Sequence, residues 1–113
     1  MKIVEKEISR LELLEMAEKM FGNLVKAVVD VEKGIMAIDA ELHADAEAYL
    51  LENGSNQRNL WGINLYPEVH GDDFIEFDSM TNLRPSQGNR SRGVEDIKIQ
   101  EQIKEVVSKL IKR

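Results

Sequence analysis

The sequence predicts an α+β fold, an antiparallel β-meander of about four to six strands with an N-terminal and a C-terminal helix packed on one of its faces. Three observations carry this. Residues 9–22 and 96–111 repeat apolar residues at helical spacing, residues 25–42 alternate apolar and polar around a Lys33-Gly34 turn, and residues 60–66 and 74–79 alternate again. At 113 residues the chain is the size of one domain, 1–113, with no repeat and no internal linker.

The first helix is punctuated at both ends. Ser9 followed by Glu12 forms a capping box, Ile8 is placed to staple against Leu13, and Gly22 is placed to end the helix in a left-handed conformation. Leu11, Leu14 and Phe21, with Leu13, Ala17 and Met20 alongside, form the expected core stripe. Taking Lys33-Gly34 as a two-residue turn pairs Val25 with Leu42, Ala27 with Ala40, Val29 with Ile38 and Val31 with Met36 on an apolar face. The opposite face then pairs Lys26 with Glu41, Val28 with Asp39 and Asp30 with Ala37. Residues 60–66 put Trp61, Ile63 and Leu65 on one side and Gly62, Asn64 and Tyr66 on the other. A last strand is expected at "FIEFDS", and Asp96 caps a final helix with Ile99, Ile103, Val106 and Leu110 flanked by Val107 and Ile111. In this arrangement the second sheet face stays polar, because nothing left in the sequence is apolar enough to cover it, and it is either solvated or a binding surface.

Cysteine is absent, which excludes disulfides, thiolate metal sites and a cysteine nucleophile. The opening "MKIVEKEISR" lacks a secretory apolar run and no stretch reaches bilayer-spanning length, so a cytoplasmic location with no membrane partner is expected. Charge is unevenly placed. Residues 1–83 carry 7 Lys+Arg against 17 Asp+Glu, a net of −10, and residues 84–113 carry 8 against 4, a net of +4, within a total of −6. An acidic body disfavours non-specific nucleic-acid binding, and the basic segment contains no aromatic residue on which a base could stack.

The local charge reversal centres on "NLRPSQGNRSRG", which has three arginines and no acid. Arg84, Arg90 and Arg92 offer planar forks suited to phosphate or carboxylate, and Ser86, Gln87 and Asn89 add neutral donors beside Gly88 and Gly93. The glycines match neither a Walker loop nor GxGxxG. With Asn64 on the polar sheet face, these residues form the candidate site for a small anionic ligand. The alternative is internal: the arginines reach back to Asp39, Glu41, Glu76 or Asp78 and pin the loop to the sheet.

A second constellation is His43, Asp45 and Glu47. On a strand the three would point the same way, an imidazole and two carboxylates suited to acid/base hydrolysis or to a catalytic metal. Along a regular strand they span about 13 Å, too far for one ion unless the strand bends. Asp45 capping a short helix from Ala46 is the structural alternative. His70-Gly71-Asp72-Asp73 reads as a turn, and no Ser-His-Asp arrangement is supported.

Taken together, "ELHADAE", "LWGINLYP", "NLRPSQGNRS" and the run from "FGNLVKAVVDVEKGIMAI" to the final helix resemble a family of small prokaryotic proteins classed only as a domain of unknown function. The resemblance covers nearly the whole chain. It implies a stand-alone prokaryotic cytoplasmic protein and brings no activity or cofactor with it. Three functions follow from the residues: an anion-binding protein using the arginine loop, a small hydrolase using His43, Asp45 and Glu47, or a structural or interaction module, such as a homodimer formed through an exposed sheet edge.

Overall fold

Local capping sets both long helices where the sequence places them. In the computed structural model, which describes residues 1–112, Ser9 is extended and its hydroxyl accepts the Glu12 amide at 3.1 Å, starting α1 (Arg10–Met20). Asp96 does the same for α3 (Ile97–Leu110), accepting from the Lys98 amide at 2.9 Å. Gly22 takes φ 92° just past the end of α1. The stripe of α1 is narrower than expected. Leu13 and Ala17 are buried, whereas Leu11, Met20 and Phe21 are exposed.

The main sheet contains β1 (Lys2–Val4), β3 (Val25–Asp30), β4 (Ile35–Ile38), β5 (Leu60–Leu65) and β6 (Ile75–Glu76), in the order β1-β4-β3-β5-β6 and antiparallel throughout. It is not a simple meander, since β1 joins the far side of β4 and β5 returns beside β3. Two further short strands, β2 (Ile8–Ser9) and β7 (Ile111–Lys112), pair in parallel and tie the two ends of the chain together. Ile111 therefore leaves the last helix and pairs with Ile8.

The β3–β4 hairpin keeps the expected faces with a register moved by two residues: Val29 faces Met36, Val28 faces Ala37, and Ala27 faces Ile38. The cause is the buried Asp30. Its Oδ1 accepts the amides of Glu32 and Lys33 at 3.0 Å each, while Ser55 donates to Oδ2 at 2.7 Å. This holds a four-residue loop, 31–34, closed by Gly34 at φ 68°, in place of the two-residue turn. A shift of two preserves the pleat, so no apolar residue changes side. β4 then ends at Ile38 because Asp39 turns left-handed, φ 64°, so Lys26 never meets Glu41 and instead lies across from Asn64 of β5.

The largest departure from a strand through His43, Asp45 and Glu47 is α2 (His43–Glu52), which favours the helical alternative and begins three residues before Ala46. Its Ala46 and Leu50 pack with Val28, Ala37 and Leu60 in a second apolar cluster. The first cluster joins Leu13 and Ala17 of α1 and Ile103, Val107 and Leu110 of α3 to Ala27, Val29, Met36, Ile38, Trp61 and Ile63. Helices thus pack against both sheet faces, with the terminal pair on one and α2 on the other. The supposedly polar second face carries its own core. It was hidden because Val28, Ala37, Leu60 and the pair Ala46 and Leu50 lie on four different elements, each contributing little by itself.

Candidate functional site

Beyond the two residues that β6 pairs, the outer edge of β5 has no neighbouring strand among the described residues, and the arginine-rich segment supplies the missing partners from side chains. Asn82 reproduces a ladder pair on Gly62, accepting its amide at 2.7 Å and donating to its carbonyl at 2.9 Å. Arg84 donates to the carbonyl of Leu60, to Gln57 O at 2.6 Å, to Thr81 O at 3.1 Å and to Gln87 Oε1 at 3.1 Å. Its guanidinium lies 4.3 Å from the centroid of the Trp61 ring. Only 9% of Arg84 is exposed, and burial lowers its pKa against the opposing charge of Glu47. Asn89 closes the loop on itself, donating to the carbonyls of Asn82 at 2.8 Å, Ser91 at 3.1 Å and Gly93 at 2.8 Å. The segment is rich in donors because it serves buried carbonyls.

A cleft of about 230 Å³ opens on the second sheet face, where β3, β5, the start of α2 and the segment around Asp78–Thr81 meet. The residue before α2, Leu42, has no side chain that can cap it. Asp45 and Ala46 send their amides to Leu42 O, which leaves the amides of His43 and Ala44 without a partner among the described residues. Both of these residues line the cleft, as do Lys26 and Arg92. Arg92 Nε is 2.8 Å from Asp78 Oδ1.

The polar floor can be assigned atom by atom. His43, 8% exposed, places Nε2 at 2.8 Å from the carbonyl of Ile63. A carbonyl only accepts, so Nε2 carries the proton of the neutral ring and Nδ1 holds a lone pair. Burial lowers the His43 pKa, and Lys26 lowers it further, against the raising effects of the Ile63 carbonyl, Asp78 and Asn64. Asn64, 7% exposed, points its amide nitrogen at Glu76 Oε1 (2.9 Å) and Asp78 O (3.4 Å). Both of those atoms accept, so its Oδ1 must face the other way. That oxygen is buried without a hydrogen-bond partner.

A sequence model of the family described as "Protein of unknown function (DUF5674)" matches residues 2–110. The chain belongs to this family. No curated protein and no solved structure matches the chain.

In this DUF5674 member the sequence candidates do not share one place. Arg92, Asn64 and His43 come together at the cleft. Ser86 and Gln87 lie on a separate cavity of about 500 Å³ beside Trp61, Arg58 and Gln102, while the side chain of Arg90 is exposed and lines neither. Arg84 and Asn89 are used inside the loop. The trio His43, Asp45 and Glu47 is not aligned, because on a helix the second residue points nearly opposite to the first. Asp45 is exposed, and among the described residues no group of three or more His, Asp or Glu side chains could hold a metal ion. Among the described residues no helix is long and apolar enough to cross a membrane.

Sequence reasoning missed Lys26, Ser79 and Thr81 at the cleft, and Asn82 beneath it. Lys26 was legible as a lone cation on the second face of β3. The roles of Ser79, Thr81 and Asn82 depend on where the loop crosses Gly62, where a Cβ would lie 2.6 Å from Ser79 Cβ, and no local signal marks that crossing.

Proposed function

We propose that this protein binds a small anionic ligand, through a carboxylate or phosphate group, in the cleft at the start of α2. The observation that carries the reading is the uncapped N-terminus of a ten-residue helix, which shares one cleft with Lys26 and Arg92. Open helix amides and the positive end of the helix dipole favour an anion, and two side-chain cations reinforce them. Asn64 lines the same cleft and keeps its Oδ1 buried without a hydrogen-bond partner. With His43 neutral, Lys26 and Arg92 against Asp78 leave one net positive charge, which a monoanion balances better than a dianion. A carboxylate is therefore favoured over a phosphate.

Titration of the labelled protein with sodium acetate and with inorganic phosphate, followed by amide NMR, tests the reading. The His43 and Ala44 amides are expected to move most. Arg92→Ala and Lys26→Ala are each expected to weaken binding about tenfold, a typical worth for one charge-assisted hydrogen bond. Arg92 pairs with Asp78 near the surface, so its loss should alter stability by only about 0–1 kcal/mol. Amides that stay still with every anion, or an unchanged affinity in both variants, would sink the proposal.

A further inference from the structure

Acceptors as well as cations converge on the cleft, and an anion alone leaves the acceptors unsatisfied. Three residues that line it, Asn64, His43 and Asp78, carry acceptor atoms. Asn64 Oδ1 is turned inward by the bonds its nitrogen makes to Glu76 and Asp78. His43 Nδ1 is a lone pair because Nε2 donates to Ile63 O. Asp78 Oδ2 remains after Oδ1 takes Arg92. Of these only Asn64 Oδ1 is buried without a donor, while Asp78 adds a half-exposed carboxylate, and a protonated amine carries three N–H donors to offer them.

The cleft also has an apolar rim. Leu42 and Met80, 57% and 64% exposed, both line it. Its volume, about 230 Å³, falls below the range of roughly 300–1,000 Å³ typical of drug-sized ligands. The ligand is therefore small, dipolar and partly apolar.

Resting on the anion site above, we infer that the cleft takes a free apolar amino acid, its carboxylate on the α2 amides and Arg92, its ammonium on Asn64, His43 and Asp78, and its side chain against Leu42 and Met80. Cations and acceptors both within reach suit a zwitterion, whose two charged groups are separated by one carbon. A ligand with only one of those groups leaves either the cations or the acceptors unpaired. The neutral state of His43, favoured by burial, keeps Nδ1 available to an ammonium.

Calorimetry and amide NMR with three probes of one carbon skeleton test this: L-leucine, isocaproate, which lacks the amine, and isoamylamine, which lacks the carboxylate. L-leucine should bind at least about tenfold more tightly than either, the factor expected when a buried acceptor or a charged group is left unpaired. In Asp78→Asn the affinity for L-leucine should fall about tenfold while that for isocaproate holds or improves. Isocaproate binding as well as L-leucine, or a parallel fall for both in Asp78→Asn, overturns the ammonium assignment and leaves the anion site standing. Failure of L-leucine to bind while acetate or phosphate shifts the His43 and Ala44 amides overturns the amino-acid inference alone. Silence from every probe removes both.

Discussion

Arg84 illustrates how one residue type serves opposite ends. Its fork was a candidate for an external anion, but four of its hydrogen bonds go to protein oxygens and its plane lies on Trp61. Lysine cannot reproduce a planar fork, so Arg84→Lys should destabilise by on the order of 2 kcal/mol in urea unfolding, since bonds from a charged donor are worth about 1.5–3. Asn82→Ala strips both polar partners from Gly62 and should cost on the order of 3 kcal/mol. Gly62→Ala would drive a methyl into Ser79 and should cost about 1–3 kcal/mol from overpacking. His43 sets a pH dependence. Burial holds its folded pKa below the ordinary value of 6.5, so as pH falls through about 6.5 the unfolded chain takes up a proton that the folded chain does not. Stability is present in full above that value, declines as pH falls toward the folded pKa, and gains no further slope from His43 below it. Denaturation of wild type and His43→Gln between about pH 7.5 and 5.5 should show this slope in the wild type alone.

At the scale of elements, the helices α1 and α3 were legible because their signals are local. Ser9 and Asp96 cap them within three residues, and the apolar spacing of Ile103, Val107 and Leu110 defines a face without outside help. The segment of α2 reads two ways in the sequence, because alanines at every second position imitate strand alternation while Asp45 offers a cap for a helix from Ala46. Alanine, leucine and glutamate are among the strongest helix formers, and Gly54 at φ 96° provides the stop, so propensity opposed the pattern and was right. The register of the β3–β4 hairpin turned on Asp30, whose partner Ser55 is 25 residues away. Because α2 supplies a second core, Leu50→Ala should cost about 2–5 kcal/mol, as other fully buried leucines do, with the midpoint of thermal or urea unfolding falling accordingly. A solvated second face would leave that midpoint nearly unmoved.

On the scale of the whole molecule, packing on both faces leaves one part of the second face uncovered, at the start of α2. His43, Asn64 and Arg92 come from a helix, a central strand and a loop, and were predicted for two different sites. The fold merges them into one, with Lys26 from β3 completing the charge. The acidic body and basic C-terminal third do not separate into an acidic and a basic lobe. Arg92 pairs with Asp78 and Lys112 with Glu7, so the reversal in charge along the chain is partly neutralised within the fold.

The sequence by itself determined the α+β class, the capped ends of two helices, the inward face of β5 and the family to which the chain belongs, all properties carried by residues a few positions apart or by long matching strings. Only the tertiary structure decided that the second face has a core, that Arg84 is spent on carbonyls, and that His43, Asn64 and Arg92 share a cleft. The physical reason is the same in each case. A donor's partner, and the water a side chain loses, depend on segments brought together from 20 or more residues away, and hydrophobic periodicity carries no record of which ones meet.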